Sequence, residues 1–470
     1  MESIASALET AVDYAWGPPL LVVMLGGGAL LTLYSRFLPF VAARHALKVL
    51  SGKYDRKDDP GQITHFQALT TALSATIGMG NIGGVAIAIT QGGPGAVFWM
   101  WLAATFGMAI KFFDCTLSVM YRGHDSQGTL QGGPMYYIEV GLGRKWRALA
   151  VFFSLCGMVG CLAMFQTNQM AEILSAALQP GAWDTGVSWI GALDPVRWIG
   201  GGLAVALVAM VVLGGITRIA RVASRLVPAM CVLYLGSALL IVLLHIEQLP
   251  DVLARIFGDA FTGTAAVGGA EGIAFATVIQ TGIKRAAFSN EAGIGTAPMA
   301  HGAAKTTEPV REGLVAMLGP FIDTVVVCSL TAFVILLAGE WQPGEDVEGV
   351  ALTLSAFGGA LGWFGQFTLL LVVTMFALTT MFGYSYYGKK CFSYLFGAER
   401  GRVYDVIYLI ALFCGAVWSL DVVINLLDTA FACMAFPNML ATLILAPRVM
   451  RATREYLKKY TGKASASSSA

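Results

Sequence analysis

About eleven long apolar stretches recur along this chain, each near the roughly 20 residues that a helix needs to cross a bilayer. They lie near 18–38, 66–92, 96–121, 148–178, 198–216, 224–245, 268–284, 313–338, 364–388, 403–420 and 422–447. Only 13% of the 470 residues are charged, 56% are hydrophobic, and the mean hydropathy is +0.69. A soluble chain of this length would need far more charge to cover its surface, so the apolar excess must face lipid. The expected class is all-α integral membrane, with residues 1–470 forming a single transmembrane domain and the tail from 463 a low-complexity end.

The distribution of charge says more than the net charge of +1. Placing alternate loops on alternate sides puts 27 of the 30 Lys and Arg residues in one set: 36–63, 119–147, 217–226, 284–312, 389–402 and the tail from 448. The other set holds Arg197 and Arg255 and is otherwise acidic, with Glu247, Asp251, Asp259, Glu340, Glu345, Asp346 and Glu348. Basic residues accumulate in cytoplasmic loops, which predicts an outer N-terminus and a cytoplasmic C-terminus. Glu2, Glu9 and Asp13 precede the first apolar run where a cleavable signal would carry basic residues. The eight cysteines fall in or beside the apolar stretches, in a pattern that suits small buried hydrophobes rather than disulfides or a metal site.

Two stretches are interrupted by glycine. The second contains Ser74-Ala-Thr-Ile-Gly-Met-Gly-Asn-Ile-Gly-Gly84 and the seventh contains Gly268-Gly-Ala-Glu-Gly272. Glycine weakens a helix by about 1 kcal/mol relative to alanine, so such clusters inside a span need a reason. With the first span set aside, the interrupted helices become the first and sixth of a ten-helix set. They then stand at matching places in two five-helix halves of opposite orientation, which points to a transporter's binding site. The divisions on that scheme are 17–60 for the extra helix and its loop, 61–245 and 246–447 for the repeats, and 448–470 for the tail. Close helix packing through small residues is the alternative use of the same glycines.

Gly78-Met-Gly-Asn-Ile-Gly83 also matches the dinucleotide-binding pattern G-x-G-x-x-G, but an apolar span precedes it and no acidic residue follows about 20 positions later. Unwound helix explains the stretch better. Free N–H groups where the helix restarts suit a carboxylate, and carbonyls freed where it stops suit a cation. Glycines at 78 and 80 let a ligand approach the backbone.

Five runs carry a family resemblance: Gly92-Gly-Pro-Gly-Ala-Val-Phe-Trp-Met-Trp101, Phe106-Gly-Met108, Gly132-Gly-Pro-Met-Tyr-Tyr137, Phe288-Ser-Asn-Glu-Ala-Gly-Ile-Gly295 and Gly319-Pro-Phe-Ile-Asp-Thr324. Through them the chain resembles the alanine or glycine:cation symporters over about residues 60–450. The resemblance implies a LeuT-type 5+5 inverted repeat plus one N-terminal helix, sodium or sometimes proton coupling, and alanine or glycine as substrate. Gly78-Met-Gly-Asn81 is similar to the Gly-Leu-Gly-Asn stretch of LeuT-type carriers. On that match the amides of Met79 and Gly80, beside Gly78, hold the substrate carboxylate. The carbonyls of Ser74 and Ile77 join Phe376, Thr379 and Thr380 around sodium. Asn81 and Thr76 take places that form a second cation site in some relatives, and Thr76 also borders the substrate.

Sodium prefers hard oxygen ligands, which adjacent hydroxyls and freed carbonyls supply. A membrane threonine also commonly bonds the carbonyl three or four residues back, which is the other use of Thr379 and Thr380. Gln166-Thr-Asn-Gln169 is a polar run inside a span, so its members must find partners or line a wet cavity. Gln166 is the substrate-contact candidate there, and Phe275 and Thr277 are candidates after the seventh-span break. Lys111 and Asp114, three apart on one helix face, suggest a mutual ion pair. Asp323 suits a bond across helices, and Asp428 suits gating or protonation. The function expected is sodium-coupled symport of alanine or glycine into the cell, with lipid around it, no cofactor, no enzyme activity and no nucleic-acid partner. A proton-coupled carrier, a sensor of the same fold and a membrane-embedded enzyme are the alternatives. The expected location is the inner (plasma) membrane.

Overall fold

The computed structural model describes residues 10, 12, 15–56, 58–178, 195–262, 275–339, 341 and 349–461. Each apolar stretch read from the sequence falls on helix, at least over its described part. The principal helices are α1 (Pro18–Tyr34), α2 (Ala43–Leu50), α3 (His65–Thr76), α4 (Met79–Gly92), α5 (Ala96–Met120), α6 (Arg147–Gly160), α7 (Met164–Leu178), α8 (Pro195–Val212) and α9 (Gly215–Leu244). After them come α10 (Leu249–Thr262), α11 (Phe275–Asn290), α12 (Ala297–His301), α13 (Pro309–Ala316), α14 (Ser329–Leu337), α15 (Val350–Leu361), α16 (Trp363–Phe396), α17 (Gly401–Val417) and α18 (Leu420–Thr461). A π-helical stretch, Phe321–Cys328, lies between α13 and α14. The described strands are a single short antiparallel pair, Gly123–His124 with Leu130–Gln131.

Six helical segments are individually long and apolar enough to cross a bilayer, and the bent pair α3–α4 makes a seventh. Helix α16 has 34 residues, about 51 Å at 1.5 Å per residue, so it outruns the hydrocarbon core of roughly 30 Å. Helix α18 is longer still at 42 residues, and its basic last turns reach a polar cap. There Lys459 Nζ pairs with Glu308 at 2.8 Å, and the Arg311 guanidinium lies 5.3 and 5.0 Å from the Tyr54 and Tyr460 rings.

Local sequence explains where the helices start and stop. Thr64 and Gln67 cap α3 reciprocally, each side chain accepting from the other's backbone N–H. Proline opens α1 and α13, where a missing N–H costs nothing. Helix α3 stops at Thr76 and the chain resumes as α4 at Met79 with a bend of 41°.

Packing brings the interrupted helices to the centre. Helix α4 packs on α11, α3 packs on α16 and α9, and α1 lies outside against α5 and α18. Residues 263–274, and with them the Gly268–Gly272 cluster, lie outside the described residues. The interruption that is described falls later, at 291–296 between α11 and α12. The stretch 284–312, read as a loop, is instead largely helical. Arg285, Glu291, His301, Arg311 and Glu312 in that segment are all buried. Polar residues misled the sequence reading because here they serve one another: Glu312 accepts from both His65 and His301, the latter at 2.6 Å.

Candidate functional site

At the first break the helical ladder comes apart in a specific way. In a continuous helix the N–H groups of Gly78 and Asn81 would close on the carbonyls of Ser74 and Ile77, four residues back. Instead Gly78 N–H donates to Asn81 Oδ1 at 2.8 Å, and Asn81 N–H donates to Gly78 O at 3.1 Å. Both carbonyls are thereby released. Met79 and Gly80 open the first turn of α4, where N–H groups have no helical carbonyl behind them.

Helix α16 faces this gap. A Cβ added to Gly78 would lie 2.4 Å from Thr380 Oγ1, so backbone and hydroxyl meet only because residue 78 has no side chain. Thr380 is 1% exposed and its hydroxyl has no hydrogen-bond partner among the described residues. Thr379 Oγ1 differs, donating to Met375 O at 2.9 Å and Phe376 O at 3.0 Å within its own helix. Ser74 and Thr76 hydroxyls likewise donate back along α3, to Thr71 O and Ala72 O. An orphaned hydroxyl beside two released carbonyls is a donor set of neutral oxygens. That set fits a desolvated monovalent cation.

The second break forms the facing wall. A Cβ on Gly80 would come within 3.3 Å of Ser289 Cα and 3.4 Å of Phe288 Cδ1, at the end of α11. Asp323, on the π-helical stretch and fully buried, ties the two breaks together. It accepts from Asn81 Nδ2 at 2.7 Å, from Ser289 Oγ at 2.7 Å and from Thr324 Oγ1 at 2.9 Å. From α18, Asn438 Nδ2 donates to Gly293 O at 2.8 Å, and Gly293 and Gly295 take left-handed φ of 89° and 97°. The Phe288 ring packs edge-on to Phe165 and tilted against Phe431, at centroid distances of 5.4 and 5.8 Å. Beside Phe165, Gln166 is 3% exposed, and its Oε1 lacks a partner among the described residues. An ion-pair cluster closes one side: Asp428 pairs with Lys284 at 2.9 Å and Arg285 at 3.2 Å, while Trp16 Nε1 donates to the Asp428 carbonyl at 3.0 Å.

A broken pair of helices enclosing bare backbone, polar donors and freed carbonyls is the architecture of a carrier's binding site. Comparison with known proteins bears on which carrier. The sequence model described as "Sodium:alanine symporter family" matches residues 1–469. The chain belongs to the sodium:alanine symporter family. This is a family of transporters, not enzymes, and cation-coupled amino-acid symport by a multi-pass membrane protein follows from membership. A Methanococcus maripaludis relative, sodium/alanine symporter AgcS, is 39% identical over 458 residues, covering 96% of this chain and 97% of that protein. A Haemophilus influenzae transporter is 40% identical over 461 residues, covering 98% and 97%. The probable sodium/glutamine symporter GlnT of Bacillus subtilis is 33% identical over 457 residues, covering 96% and 91%. In fold, the chain is similar to the crystal structure of MhsT in complex with L-phenylalanine. The TM-score is 0.58 at 13% identity, over 84% of this chain and 99% of that one.

Within this symporter fold the candidates named from sequence separate into two groups. Ser74, Thr76, Ile77, Gly78, Met79, Gly80, Asn81, Phe376, Thr379, Thr380 and Gln166 are all buried, and the first break, α16 and α7 carry them. Phe275 and Thr277 stand apart. They are exposed at the opposite end of α11 from Ser289, with the Phe275 ring 6.3 Å from that of Trp99. Lys111 and Asp114 are buried, but no carboxylate among the described residues lies within 4.0 Å of Lys111. The ion pair read from their spacing therefore does not form, because helical neighbours three apart can still point to different partners.

Sequence reasoning missed Phe288, Ser289 and Glu291. Their signal was present: Gly293 and Gly295 repeat the two-residue glycine spacing of Gly78 and Gly80. The dense polar residues beside them disguised the segment as a loop.

Proposed function

We propose that this chain is a sodium-driven importer of alanine or glycine in the inner membrane, with an outer N-terminus and a cytoplasmic C-terminus. One observation carries the reading. The partnerless Thr380 hydroxyl meets the backbone of Gly78 where the Ser74 and Ile77 carbonyls have left the helical ladder. Sodium at this point joins α3 to α16, with Phe376 completing the oxygen shell and Thr379, bonded within its own helix, behind it, and so favours the arrangement that admits substrate. The substrate carboxylate takes the amides of Met79 and Gly80, with Thr76 and Gln166 beside it. Phe288 and Ser289, in place of Phe275 and Thr277, form the opposite wall. Asn81, bonded to the Asp323 carboxylate, is the residue around which a second cation would assemble.

Two features favour a small side chain on the substrate. Gly80 already stands against Phe288, and Phe165 and Phe431 crowd the same ring. The driving force is the sodium gradient plus about 2.3 kcal/mol per charge per 100 mV of membrane potential.

Radiolabelled alanine uptake into proteoliposomes tests the reading directly, with and without an inward sodium gradient and with unlabelled glycine or glutamine as competitors. Sodium-stimulated uptake blocked by glycine but not glutamine is expected. Uptake indifferent to sodium would overturn the coupling, and stronger competition by glutamine would overturn the size argument. Orientation is separable: in a Cys-free background, a cysteine at position 254 should react with an impermeant reagent from outside, and one at position 48 should not.

A further inference from the structure

Glu291 is the residue that neither sodium coupling nor substrate binding accounts for. It opens the second break with a left-handed φ of 54°, a conformation that side chains other than glycine, asparagine and aspartate rarely adopt. Such local strain collects at functional sites. Its side chain is fully buried, and no ion pair within 4.0 Å reaches it among the described residues. Among the described residues its two oxygens meet only hydroxyls, Oε1 that of Tyr384 on α16 and Oε2 that of Thr296 at the far end of the break.

The nature of those partners matters. Asp323 nearby accepts from the amide of Asn81, a group that can only donate, so Asp323 is held as an acceptor on that oxygen. A hydroxyl can donate or accept. Both oxygens of Glu291 therefore stay satisfied whether the carboxyl is ionised or protonated, and a proton can arrive or leave without orphaning a buried atom. Charge counting points the same way. The titratable groups around Glu291 are Lys111 from α5, Asp323 from the π-helical stretch, Tyr384 and Tyr387 from α16, and Cys161 between α6 and α7. Lys111 is the one ammonium among them, and it also faces Asp323 and Asp114. One buried cation cannot offset three buried carboxylates, and burying an uncompensated charge is costly.

We propose that Glu291 is a proton-binding site, protonated while the second break is closed around it and releasing its proton to water when the break opens. The proton returns from water when the break closes again, so one reversible protonation accompanies each cycle of the helix rearrangement. The site differs from that proposed for sodium, and the inference depends on the transport reading only through one of its two assays.

Infrared spectroscopy of the purified carrier in detergent at neutral pH supplies the assay that needs no transport. The C=O stretch of a protonated carboxyl stands apart from carboxylate bands. It should be present in the wild type and reduced by one carboxyl in Glu291→Gln. An unchanged band in Glu291→Gln would overturn the proposal, as would a band removed by Asp114→Asn instead. The second assay follows alanine uptake at saturating sodium with the interior set across roughly pH 5 to 9. The wild-type rate should vary with interior pH by about threefold or more, and Glu291→Gln should carry alanine with a flat profile. A Gln variant that keeps the wild-type profile would overturn the inference. Should Glu291→Gln fail to insert, Tyr384→Phe decides by removing one of two donors. The midpoint should then be displaced by about half a pH unit or more, and an unmoved midpoint counts against the site. A wild type that carries no amino acid would sink the symport reading while leaving the infrared test intact.

Discussion

The two helix breaks face each other but are built from opposite materials. The first is two residues long, Ile77 and Gly78, carries no charge, and is held by a single side chain, Asn81, folding back on Gly78 N–H. The second spans six residues, 291–296, contains a buried carboxylate, and needs Asn438, Tyr384 and Thr296 from three places to hold it. A short glycine break leaves bare backbone groups pointing into the gap, which suits binding of a small zwitterion and a neutral-oxygen cation site. A long polar break fixed by side-chain bonds suits rearrangement, because those bonds can be exchanged one at a time. Asp323 couples the two, since Asn81 from one and Ser289 from beside the other converge on it.

The largest effect should come from filling the bare backbone. Gly80→Val adds a branched side chain where even a single Cβ would lie 3.3 Å from Ser289 Cα, with backbone rather than a flexible tip opposite. Alanine uptake should fall below detection while the protein still inserts and purifies, as measured by proteoliposome uptake against yield. Parent-rate uptake would remove the first break from the binding site. Next in size is Asn81→Ala. It strands Gly78 N–H and one Asp323 oxygen, and each unsatisfied buried group costs about 1–3 kcal/mol. Uptake should drop by more than about tenfold, together with a lower thermal midpoint; an unchanged midpoint would show that Asn81 does not link the breaks.

What was legible in the sequence followed from how strongly each feature is constrained. Spans stand out because lipid demands an unbroken apolar run, and the first break stands out because glycines interrupt one. Residues 284–312 failed for the same reason in reverse. Arg285 pairs with Asp428 and cation–π contact brings it over Phe288, Glu312 sits between two histidines, and Glu291 is wrapped by hydroxyls. Hydropathy scores each of these as a solvent-seeking residue, because the groups that satisfy it are brought together only by the fold. Asp323 was recognised as a cross-helix group, yet its partners Asn81 and Ser289 could be found only in three dimensions.

A finer comparison concerns the adjacent threonines of α16, which the sequence treats as equivalent and the structure does not. Thr380→Ala removes the partnerless hydroxyl that meets Gly78, so half-saturating sodium should rise by about 1–3 kcal/mol, roughly five- to 150-fold. Thr379→Ala removes a hydroxyl already bonded to Met375 and Phe376 carbonyls, and the rise should stay within about threefold. Because coupling between ligands is reciprocal, alanine affinity in Thr380→Ala should fall at low sodium and recover at saturation. Equal effects in the two variants would mean that the hydroxyls share the ion.

The smallest effect should separate the two ends of α11. Thr277 and Ser289 lie 12 residues apart on it, about 18 Å at 1.5 Å per residue, which is too far for both to touch one small amino acid. Thr277 is exposed, and substitutions at exposed positions away from special contacts usually change free energies by less than about 0.5 kcal/mol. Thr277→Ala should therefore leave half-saturating alanine within about twofold of the parent. Ser289→Ala removes the 2.7 Å donor to a buried Asp323 oxygen and should weaken alanine binding by about tenfold, with Asn81 and Thr324 left to hold that carboxylate. Both values come from one sodium-saturated uptake series, so differences in coupling cancel. If Thr277→Ala proved the more damaging of the two, the substrate would sit at the other end of α11. The wall formed by Phe288 and Ser289 would then be a packing feature of the second break.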